Sequence, residues 1–410
     1  MTTDISFLER RSKLWRYGLF ALFVITGVAL ASWVTRTPAI RDEIGASTAE
    51  MGLVLFGLSV GAMAGVLTSG YLVARLGGRP VAAMGISLVC LGLLVLGSGA
   101  AAGAAPGVFA GLMLFGAGSG LMEIALNVEG AALEKLLSRP VLPALHGCFS
   151  AGTVIGAMLG IWLTSIDFPV SWHLWVVGAL CTPIALWAVR QIPADTGKES
   201  AESTDTPRLT AAERLAVWRE PRVLMLGLIV LGMALAEGAA SDWLPLIMVD
   251  GYDLGSTAGS LVYTLFAASM AVGRFSGEFF LSRFGRVIVV RTSAVFAAAG
   301  ILVVVFAPHP ALAAAAVVLW GLGASLGFPV TLSAAGDEQH QSAARVSAVA
   351  TTGYLAFLAG PPALGLLGEH VGLRNAMLAV ATAAVVAGLL ARATARPPAP
   401  KSVPRVRTPA

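Results

Sequence analysis

Long apolar blocks separated by short polar stretches run along almost the whole chain. A helix that crosses the hydrocarbon core of a bilayer needs about 20 mostly apolar residues. Measured against that length, the pattern predicts twelve membrane-spanning helices and an all-α integral membrane protein. The first six predicted spans cover residues 15–36, 48–74, 80–102, 106–132, 144–166 and 171–190. The second six cover residues 222–248, 256–281, 287–307, 310–334, 344–367 and 372–393.

The composition agrees with this pattern. Of the 410 residues, 57% are hydrophobic and 12% are charged, whereas a soluble domain has about 45–50% apolar and about 25% charged residues. These values exclude a disordered chain, a nucleic-acid-binding protein and a typical soluble enzyme. The three cysteines, Cys90, Cys148 and Cys181, form no CxxC pair or Cys/His cluster, so the sequence predicts no metal site.

The basic residues predict the orientation in the membrane, because cytoplasmic loops are enriched in Lys and Arg. With the N-terminus inside, 23 of the 27 basic residues fall in cytoplasmic segments, and both termini are cytoplasmic. The basic start of the chain and Ala29-Leu30-Ala31 also resemble a cleavable signal peptide, and cleavage would leave eleven spans. We interpret span 1 as an uncleaved anchor, because twelve spans preserve the symmetry of the two halves.

The longest polar stretch between predicted spans, residues 192–221, divides the chain into two sets of six spans. We therefore predict an N-terminal six-helix bundle at residues 1–191 and a C-terminal six-helix bundle at residues 222–394. Residues 192–221 form a cytoplasmic linker with an amphipathic surface helix expected over residues 210–219. Residues 395–410 are predicted to be a disordered cytoplasmic tail.

Sequence echoes at offsets of 205–210 residues indicate that the two halves are copies of one unit. Because each half has an even number of spans, the two copies run in the same direction through the membrane. The echoes pair Arg75–Arg79 with Arg283–Arg286, Ala31–Trp33 with Ala240–Trp243, and Gly116–Gly118 with Gly321–Gly323.

The turn after span 2 resembles the loop signature of the major facilitator superfamily. That signature is approximately G-x-L-a-D-R-x-G-R-R, and the stretch from Gly70 to Arg79 reads GYLVARLGGR. Ala74 stands where the family has an acidic residue, so the family's charge relay is incomplete at this turn. The resemblance implies the twelve-helix major facilitator fold, and a gating or structural role at this turn for Arg75, Gly77 and Arg79.

Finer motifs resemble the fucose permease branch of that superfamily. In span 4, the run from Gly120 to Asn127 is similar to the branch's G-x-x-E-x-A-x-N. The resemblance implies solute transport and links the matching glutamate, Glu123, to proton coupling. Symporters of this branch often carry an aspartate in span 1, and span 1 of this chain has none. Glu123 and Glu237, one in each half, are therefore the predicted protonation sites.

Charged residues inside the predicted spans carry the candidate chemistry, because each costs about 2.5–3.5 kcal/mol to insert at a helix centre. Asn127 lies one turn from Glu123 on the same helix face, where its amide can contact the carboxylate or a solute hydroxyl. Arg274 in span 8 lies at a similar depth, so we predict a Glu123–Arg274 ion pair that breaks on protonation. The alternative is that Arg274 pairs with Glu278, one turn away on its own helix.

Span 7 offers further candidates. Gly238 and Pro245 flank Asp242 and Trp243 and allow a local helix break of the kind that lines substrate sites. Trp243 could stack on a flat ligand, or it could be an interfacial anchor at the headgroup level. Asp242 is close enough to the predicted surface for hydration alone to explain it. The predicted substrate-binding residues are Trp33, Asn127, Asp242, Trp243 and Arg274.

Two further features predict gating. His146 lies at the cytoplasmic mouth of span 5 and can titrate near neutral pH, or it serves only as a structural hydrogen-bonding residue. The run Gly360-Pro361-Pro362 removes backbone donors and should kink span 11.

The glycines of span 5 bear on packing and on the type of transport. Gly152, Gly156 and Gly160 are spaced for close helix packing. Drug antiporters of the superfamily usually carry a Gly-Pro motif in this span, and span 5 lacks a proline at these glycines. This difference disfavours drug/proton antiport.

These features predict a secondary active transporter that moves a small polar solute, with sugars or sugar derivatives as first candidates, across the inner membrane by alternating access. Proton-coupled symport is the leading hypothesis. The alternatives are a proton-driven exporter of drugs or metabolites, a uniporter, and a non-transporting sensor or scaffold. The absence of a GxxxxGK[ST] motif and of a nucleophile set argues against an enzyme. The expected partners are the solute, protons and lipid, with no cofactor other than the proton gradient, no nucleic acid and a monomeric state.

Overall fold

A computed structural model describes residues 2–137, 141–198, 216–337 and 342–396. Within these ranges the protein is all-helical, without β-strands. The helices of the first half are α1 Thr2–Val34, α2 Thr37–Ile44, α3 Thr48–Leu76, α4 Gly78–Ala101, α5 Ala105–Leu137, α6 Leu142–Ser165 and α7 Val170–Gln191. Those of the second half are α8 Pro221–Tyr252, α9 Ser256–Phe306, α10 Pro310–Ala335, α11 Ser342–Val371 and α12 Leu373–Leu390, followed by a 3₁₀ turn at Ala391–Thr394.

Eleven of the described helices are long and apolar enough to cross a membrane, against the twelve spans predicted. The difference comes from α9, which joins predicted spans 8 and 9 in one element of 51 residues. Gly285 interrupts this element with φ 75° and ψ 167°, which are not helical values. At 1.5 Å per residue, 51 residues extend about 77 Å, more than twice the thickness of the hydrocarbon core. The predicted boundary between spans 8 and 9 therefore coincides with the break at Gly285.

The repeated turn is visible in the backbone. Gly77, between α3 and α4, has φ 90° and ψ 166°, close to the values of Gly285, 208 residues later. A side chain disfavours this region of φ, so glycine suits both positions. The predicted pairing of the two turns is thus matched by a shared backbone conformation.

The glycines of α6 pack against α1 and against Thr35 just beyond its end, which confirms the close-packed face predicted for Gly152, Gly156 and Gly160. A side chain at Gly156, for example, would lie 2.5 Å from the carbonyl oxygen of Val28. Without a Cβ, the two backbones approach closely enough to gain dispersion contacts that larger residues would prevent.

Helix packing follows the two halves of the sequence. In the first half, α1 packs on α6 and α7, and α5 packs on α3 and α4. In the second half, α8 packs on α10, α11 and α12, and α9 packs on α10 and α12. The halves meet mainly along two seams, α3 with α11 and α6 with α9.

A charge cluster ties helix ends together in the second half. Asp337, just beyond α10, accepts hydrogen bonds of 2.7 and 2.8 Å from Arg286 and one of 3.4 Å from Arg222. Arg286 follows the break in α9, and Arg222 lies in the first turn of α8. The cluster therefore ties the start of α8 and the end of α10 to the break in α9 at one face of the protein.

Two predicted features lie mostly outside the described residues. The amphipathic helix expected at residues 210–219 is described only from residue 216, and the tail at 395–410 only to residue 396.

Candidate functional site

A cavity of about 1740 Å³ lies between the two halves. It reaches the end of the protein at which α9 breaks, α10 ends and α11 begins, since Gly285, Ser333 and Val346 line it. Its inner part contains the charged, polar and aromatic side chains that carry its chemistry. These are Phe23, Glu123, Asn127, His146, Phe149, Glu237, Arg274, Glu278, Phe328, Tyr354 and Phe357.

On the first-half wall, three polar side chains form a hydrogen-bonded chain. The Asn127 amide donates from Nδ2 to Glu123 Oε1 at 3.3 Å and also to the backbone carbonyl of Glu123. Asn127 Oδ1 lies 3.1 Å from His146 Nε2. The i, i+4 spacing on α5 places the amide beside the carboxylate, and the contact between α5 and α6 brings in the histidine. Glu123 and His146 are both exposed to the cavity.

On the second-half wall, Arg274 pairs with Glu237, with Nη2 2.8 Å from Oε1. The predicted Glu123–Arg274 pair is therefore wrong for this conformation, and Arg274 does not take the alternative partner Glu278. The side chains of Arg274 and Glu237 are 34% and 20% exposed, so water reaches the pair through the cavity. Glu237 and Arg274 lie on helices of the same half, whereas Glu123 lies on the opposite wall of the cavity.

The acids on the two walls lie at similar depth. Glu123 is 14 residues from the end of α5, and Glu237 is 16 residues from the start of α8. The helical rise places them about 21 and 24 Å from those helix ends, near the middle of the spans. Both predicted protonation sites therefore line one water-accessible space at mid-depth.

Aromatic side chains supply the apolar part of the inner cavity. Phe23 of α1 meets the His146 ring edge-on, with centroids 5.3 Å apart. Phe149, Phe328, Tyr354 and Phe357 contribute from other helices. Aromatic surfaces interrupted by a few polar groups are typical of small-molecule sites, where the polar groups fix the orientation of the ligand.

The opposite end of the protein is closed by contacts between the halves. Because Pro361 has no N–H, the carbonyl of Phe357 loses its intrahelical donor and instead accepts a hydrogen bond from Ser59 Oγ of α3. Gly52 lies against the Pro361 carbonyl and Gly365, so α3 and α11 approach closely. Pro361 thus contributes a backbone acceptor to the seam between the halves, a consequence more specific than the predicted kink.

Three more polar contacts between the halves lie farther toward the closed end. Ser260 Oγ donates to the carbonyl of Thr35 at 2.7 Å, where the break between α1 and α2 leaves that oxygen available. The backbone N–H of Ala49 donates to Glu369 Oε2 at 3.1 Å.

The third contact is an ion pair between Arg41 and Asp250. Burial lowers the pKa of Arg41, but hydrogen bonds to Asp250 and Asp42 outweigh it and raise this pKa above its usual value. Arg41 therefore remains charged, and the ion pair joins the two halves.

Three predicted substrate-binding residues lie outside the cavity lining. Trp33, Trp243 and Asp242 are only 1%, 0% and 7% exposed. The interpretation of Trp243 as an interfacial anchor is wrong, and so is surface hydration of Asp242, because both side chains are enclosed by protein. Solute contact by these residues stays a prediction for a conformation in which the closed end has opened.

The remaining predicted gating residues are placed at helix ends and in α11. Arg75 is exposed, with its guanidinium 4.7 Å from the Tyr71 ring centroid, and Arg79 is half-buried. The Cβ-free Gly360 packs near Leu235, and Pro361 and Pro362 lie inside a helix that runs without interruption from Ser342 to Val371. Among the described residues, no group of three or more His, Cys, Asp or Glu side chains could hold a metal ion.

Sequence reasoning missed the closing contacts and Tyr354's place in the cavity. The available signal for Ser59 and Phe357 was Pro361, which frees a carbonyl four residues earlier. For Arg41 and Asp250, the available signal was that two opposite charges lie just beyond the ends of predicted spans 1 and 7, on the same side of the membrane.

The comparison with protein families decides the identity of the fold. The family model described as Major Facilitator Superfamily matches residues 18–354 and 256–410. The chain belongs to the major facilitator superfamily. It is therefore a multi-pass membrane transporter and not an enzyme.

Relatives of this transporter in the superfamily cover most of its length. An uncharacterised transporter of Sinorhizobium fredii is 31% identical, over 92% of this chain and 97% of the relative. An uncharacterised major facilitator-type transporter of Yersinia pestis is 28% identical, over 91% of this chain and 94% of the relative. The multidrug resistance protein MdtL of Escherichia coli is 26% identical, over 77% of this chain and 79% of that protein.

Solved structures of the superfamily have the same fold. The nucleoside transporter NupG superposes with a TM-score of 0.71 at 16% identity, over 93% of this transporter and 98% of NupG. FucP in its outward conformation gives a TM-score of 0.66 at 18% identity, over 93% and 99% of the two chains. FucP of E. coli is described as a fucose:proton symporter.

Proposed function

We propose that this transporter moves a small polar solute across the bacterial inner membrane by alternating access, coupled to protons in symport. The observation that carries the proposal is the cavity, which holds Glu123 and the Glu237–Arg274 pair at mid-depth and reaches one end only. An ionisable residue at mid-membrane costs free energy of insertion unless it is hydrated, and such residues usually have a function in transport. A cavity that hydrates it from one side supplies the route by which a proton leaves.

In this proposal, residues 1–191 and 222–394 act as two bundles with cytoplasmic termini, joined by the linker at 192–221. The packing of helices within each half and the two seams between the halves support this division. The open end of the cavity then faces the cytoplasm, since it is the end bearing the basic turn at Arg283–Arg286.

The solute we propose is polar and contains a ring. The inner cavity offers carboxylate, guanidinium, amide and imidazole groups for hydroxyls or ring nitrogens, and phenyl faces for a flat or puckered ring. Arg274 and Glu237 are candidates for solute contact. NupG is described as a nucleoside transporter and FucP as a fucose:proton symporter, and nucleosides and fucose both fit this description.

Asn127 has a different role from Arg274 and Glu237. Its amide hydrogens and its oxygen are engaged by Glu123 and His146. We therefore assign Asn127 to the support of Glu123 in this conformation, with solute contact open to it only after rearrangement.

Transport into proteoliposomes tests the proposal, with fucose and uridine as first probes. Counterflow detects transport, and net uptake into solute-free vesicles, followed with an internal pH dye, detects proton coupling. Symport predicts solute entry that acidifies the lumen. Glu123→Gln should retain counterflow but lose accumulation driven by a pH gradient, while Glu43→Gln, an exposed acid outside the cavity lining, should behave as the unmodified protein. Solute entry that leaves the lumen pH unchanged would refute proton symport.

Proton-driven export is the second candidate, favoured by the similarity to MdtL. The same assay separates the two, because an antiporter alkalinises the compartment that the solute enters.

A further inference from the structure

Glu123, Asn127 and His146 form a chain whose direction is fixed. Asn127 has one donor end and one acceptor end, and its donor end faces Glu123. Its oxygen therefore faces His146 Nε2 at 3.1 Å, and because an amide oxygen only accepts, this contact is a hydrogen bond in the tautomer that carries the proton on Nε2. If the amide turned over, its oxygen would face the Glu123 carboxylate and its NH₂ group would face the donor of His146. The backbone carbonyl of Glu123 accepts from the same amide nitrogen, and a donating Nε2 of His146 holds the amide oxygen on the opposite side, so the two contacts favour the same orientation.

We propose that His146 is a positioning residue for proton release: it holds the Asn127 amide with its donor on Glu123, so that the open cavity favours the ionised carboxylate. This inference rests on the proposed role of Glu123 as the proton carrier. When Glu123 gives its proton to cavity water, the negative charge that remains accepts the amide hydrogen already aimed at it. A hydrogen bond to the charged form stabilises that form.

The location of the chain fits release rather than uptake. His146 lies on the cavity and is exposed, so water reaches the chain from the open end. Phe23 packs edge-on against the imidazole and limits its rotation. Because His146 is on α6 and Glu123 is on α5, a shift between these helices would release the amide. The chain can therefore differ between the inward-open state and other states.

Other charged or titratable groups face the same cavity, and none of them is substituted in the test. They are Tyr354 from α11, Glu237 from α8, Arg274, Glu278 and Arg286 from α9, and Arg396 beyond α12.

Dicyclohexylcarbodiimide tests the proposal without a known solute, because it reacts with protonated carboxyl groups. The full-length protein is labelled between pH 5 and 9, and modification of Glu123 is quantified by peptide mass spectrometry. In His146→Ala the pH of half-maximal labelling should rise by about one unit, since the loss of one hydrogen bond to a charged group changes the equilibrium roughly tenfold. His370→Ala, which removes an exposed histidine outside the cavity lining, is the matched control and should leave the midpoint unchanged.

Two further variants separate positioning from charge and from misfolding. His146→Gln keeps a donor for Asn127 Oδ1 without a titratable ring, so its midpoint should stay near that of the unmodified protein. Asn127→Ala should raise the midpoint as His146→Ala does, and the double variant should add nothing more.

Three results would overturn the positioning role while leaving Glu123 a titrating group. They are an unchanged midpoint in His146→Ala, a rise in His146→Gln equal to that in His146→Ala, and additive shifts in the His146→Ala and Asn127→Ala double variant. A Glu123 that is not labelled at any pH would instead refute its role as proton carrier, and with it the proposed coupling.

Discussion

The contacts at the closed end predict how easily the transporter opens there. Removing the Asp250 charge by Asp250→Asn should favour the state in which this end is open, because the ion pair with Arg41 joins the two halves only when they are closed. The effect can be read as the reactivity of a reporter cysteine. Leu55 is 0% exposed and lies on the face of α3 between Gly52 and Ser59, both of which contact α11. Leu55→Cys is therefore a suitable reporter once the three native cysteines are replaced by serine.

The magnitude follows from the exposure of the groups. Arg41 and Asp250 side chains are 16% and 35% exposed, so the ion pair contributes about 1 kcal/mol. A second contact, the hydroxyl of the fully buried Ser260, adds about 1 kcal/mol through its bond to the Thr35 carbonyl. Asp250→Asn should raise the open fraction about fivefold, and Asp250→Asn with Ser260→Ala about thirtyfold.

The assay measures the rate at which a membrane-impermeant thiol reagent modifies Leu55→Cys from the outside of intact cells. This rate is proportional to the open population while that population is small. Asp42→Asn is the matched control, because Asp42 also contacts Arg41 but belongs to the same half and is 62% exposed. Equal rates in Asp250→Asn and Asp42→Asn would refute the assignment of the ion pair to closure of this end.

Three further predictions follow from other contacts. Pro361→Ala restores an N–H that competes for the Phe357 carbonyl, so thiol labelling at Leu55→Cys should rise a few-fold. Pro362→Ala is the control: the native Pro362 leaves the Leu358 carbonyl, not that of Phe357, without an intrahelical donor, so this variant should have a smaller effect. Asp337→Asn leaves Arg286 and Arg222 without their shared carboxylate and should destabilise the protein by about 1–3 kcal/mol, seen as a lower thermal midpoint in detergent; an unchanged midpoint would contradict this account of the cluster. Gly156→Leu forces a side chain against the Val28 carbonyl and should reduce the yield of monodisperse protein, while Gly70→Leu, where a side chain meets nothing within 4 Å, should leave the yield unchanged.

Sequence reasoning located the spans and the acids because both depend on distance along a helix. Apolar length predicts a crossing, and the rise per residue predicts depth, so the sequence alone places Glu123 and Glu237 inside the predicted spans. The glycines of α6 were predictable for a similar reason, since their spacing repeats once per turn and defines a face.

The partner of Arg274 could not be obtained in this way. Depth places Arg274 level with both Glu123 and Glu237, but the choice between them depends on the rotation and tilt of three helices, which tertiary packing decides. The burial of Trp33 and Trp243 depends in addition on which end of the protein is closed. That is a property of one conformational state, and a single sequence encodes several such states.

The central claim is that the two halves open the cavity to one end at a time. Spin-label distances test it directly, with one pair at the closed end, Asp42→Cys with Asp253→Cys, and one at the open end, Lys135→Cys with Arg283→Cys. All four positions are exposed, and each pair joins the two halves. When the pH or an added solute changes the populations, the account predicts that the first distance lengthens as the second shortens. Distances that both lengthen, both shorten or never change would contradict alternating access in this protein.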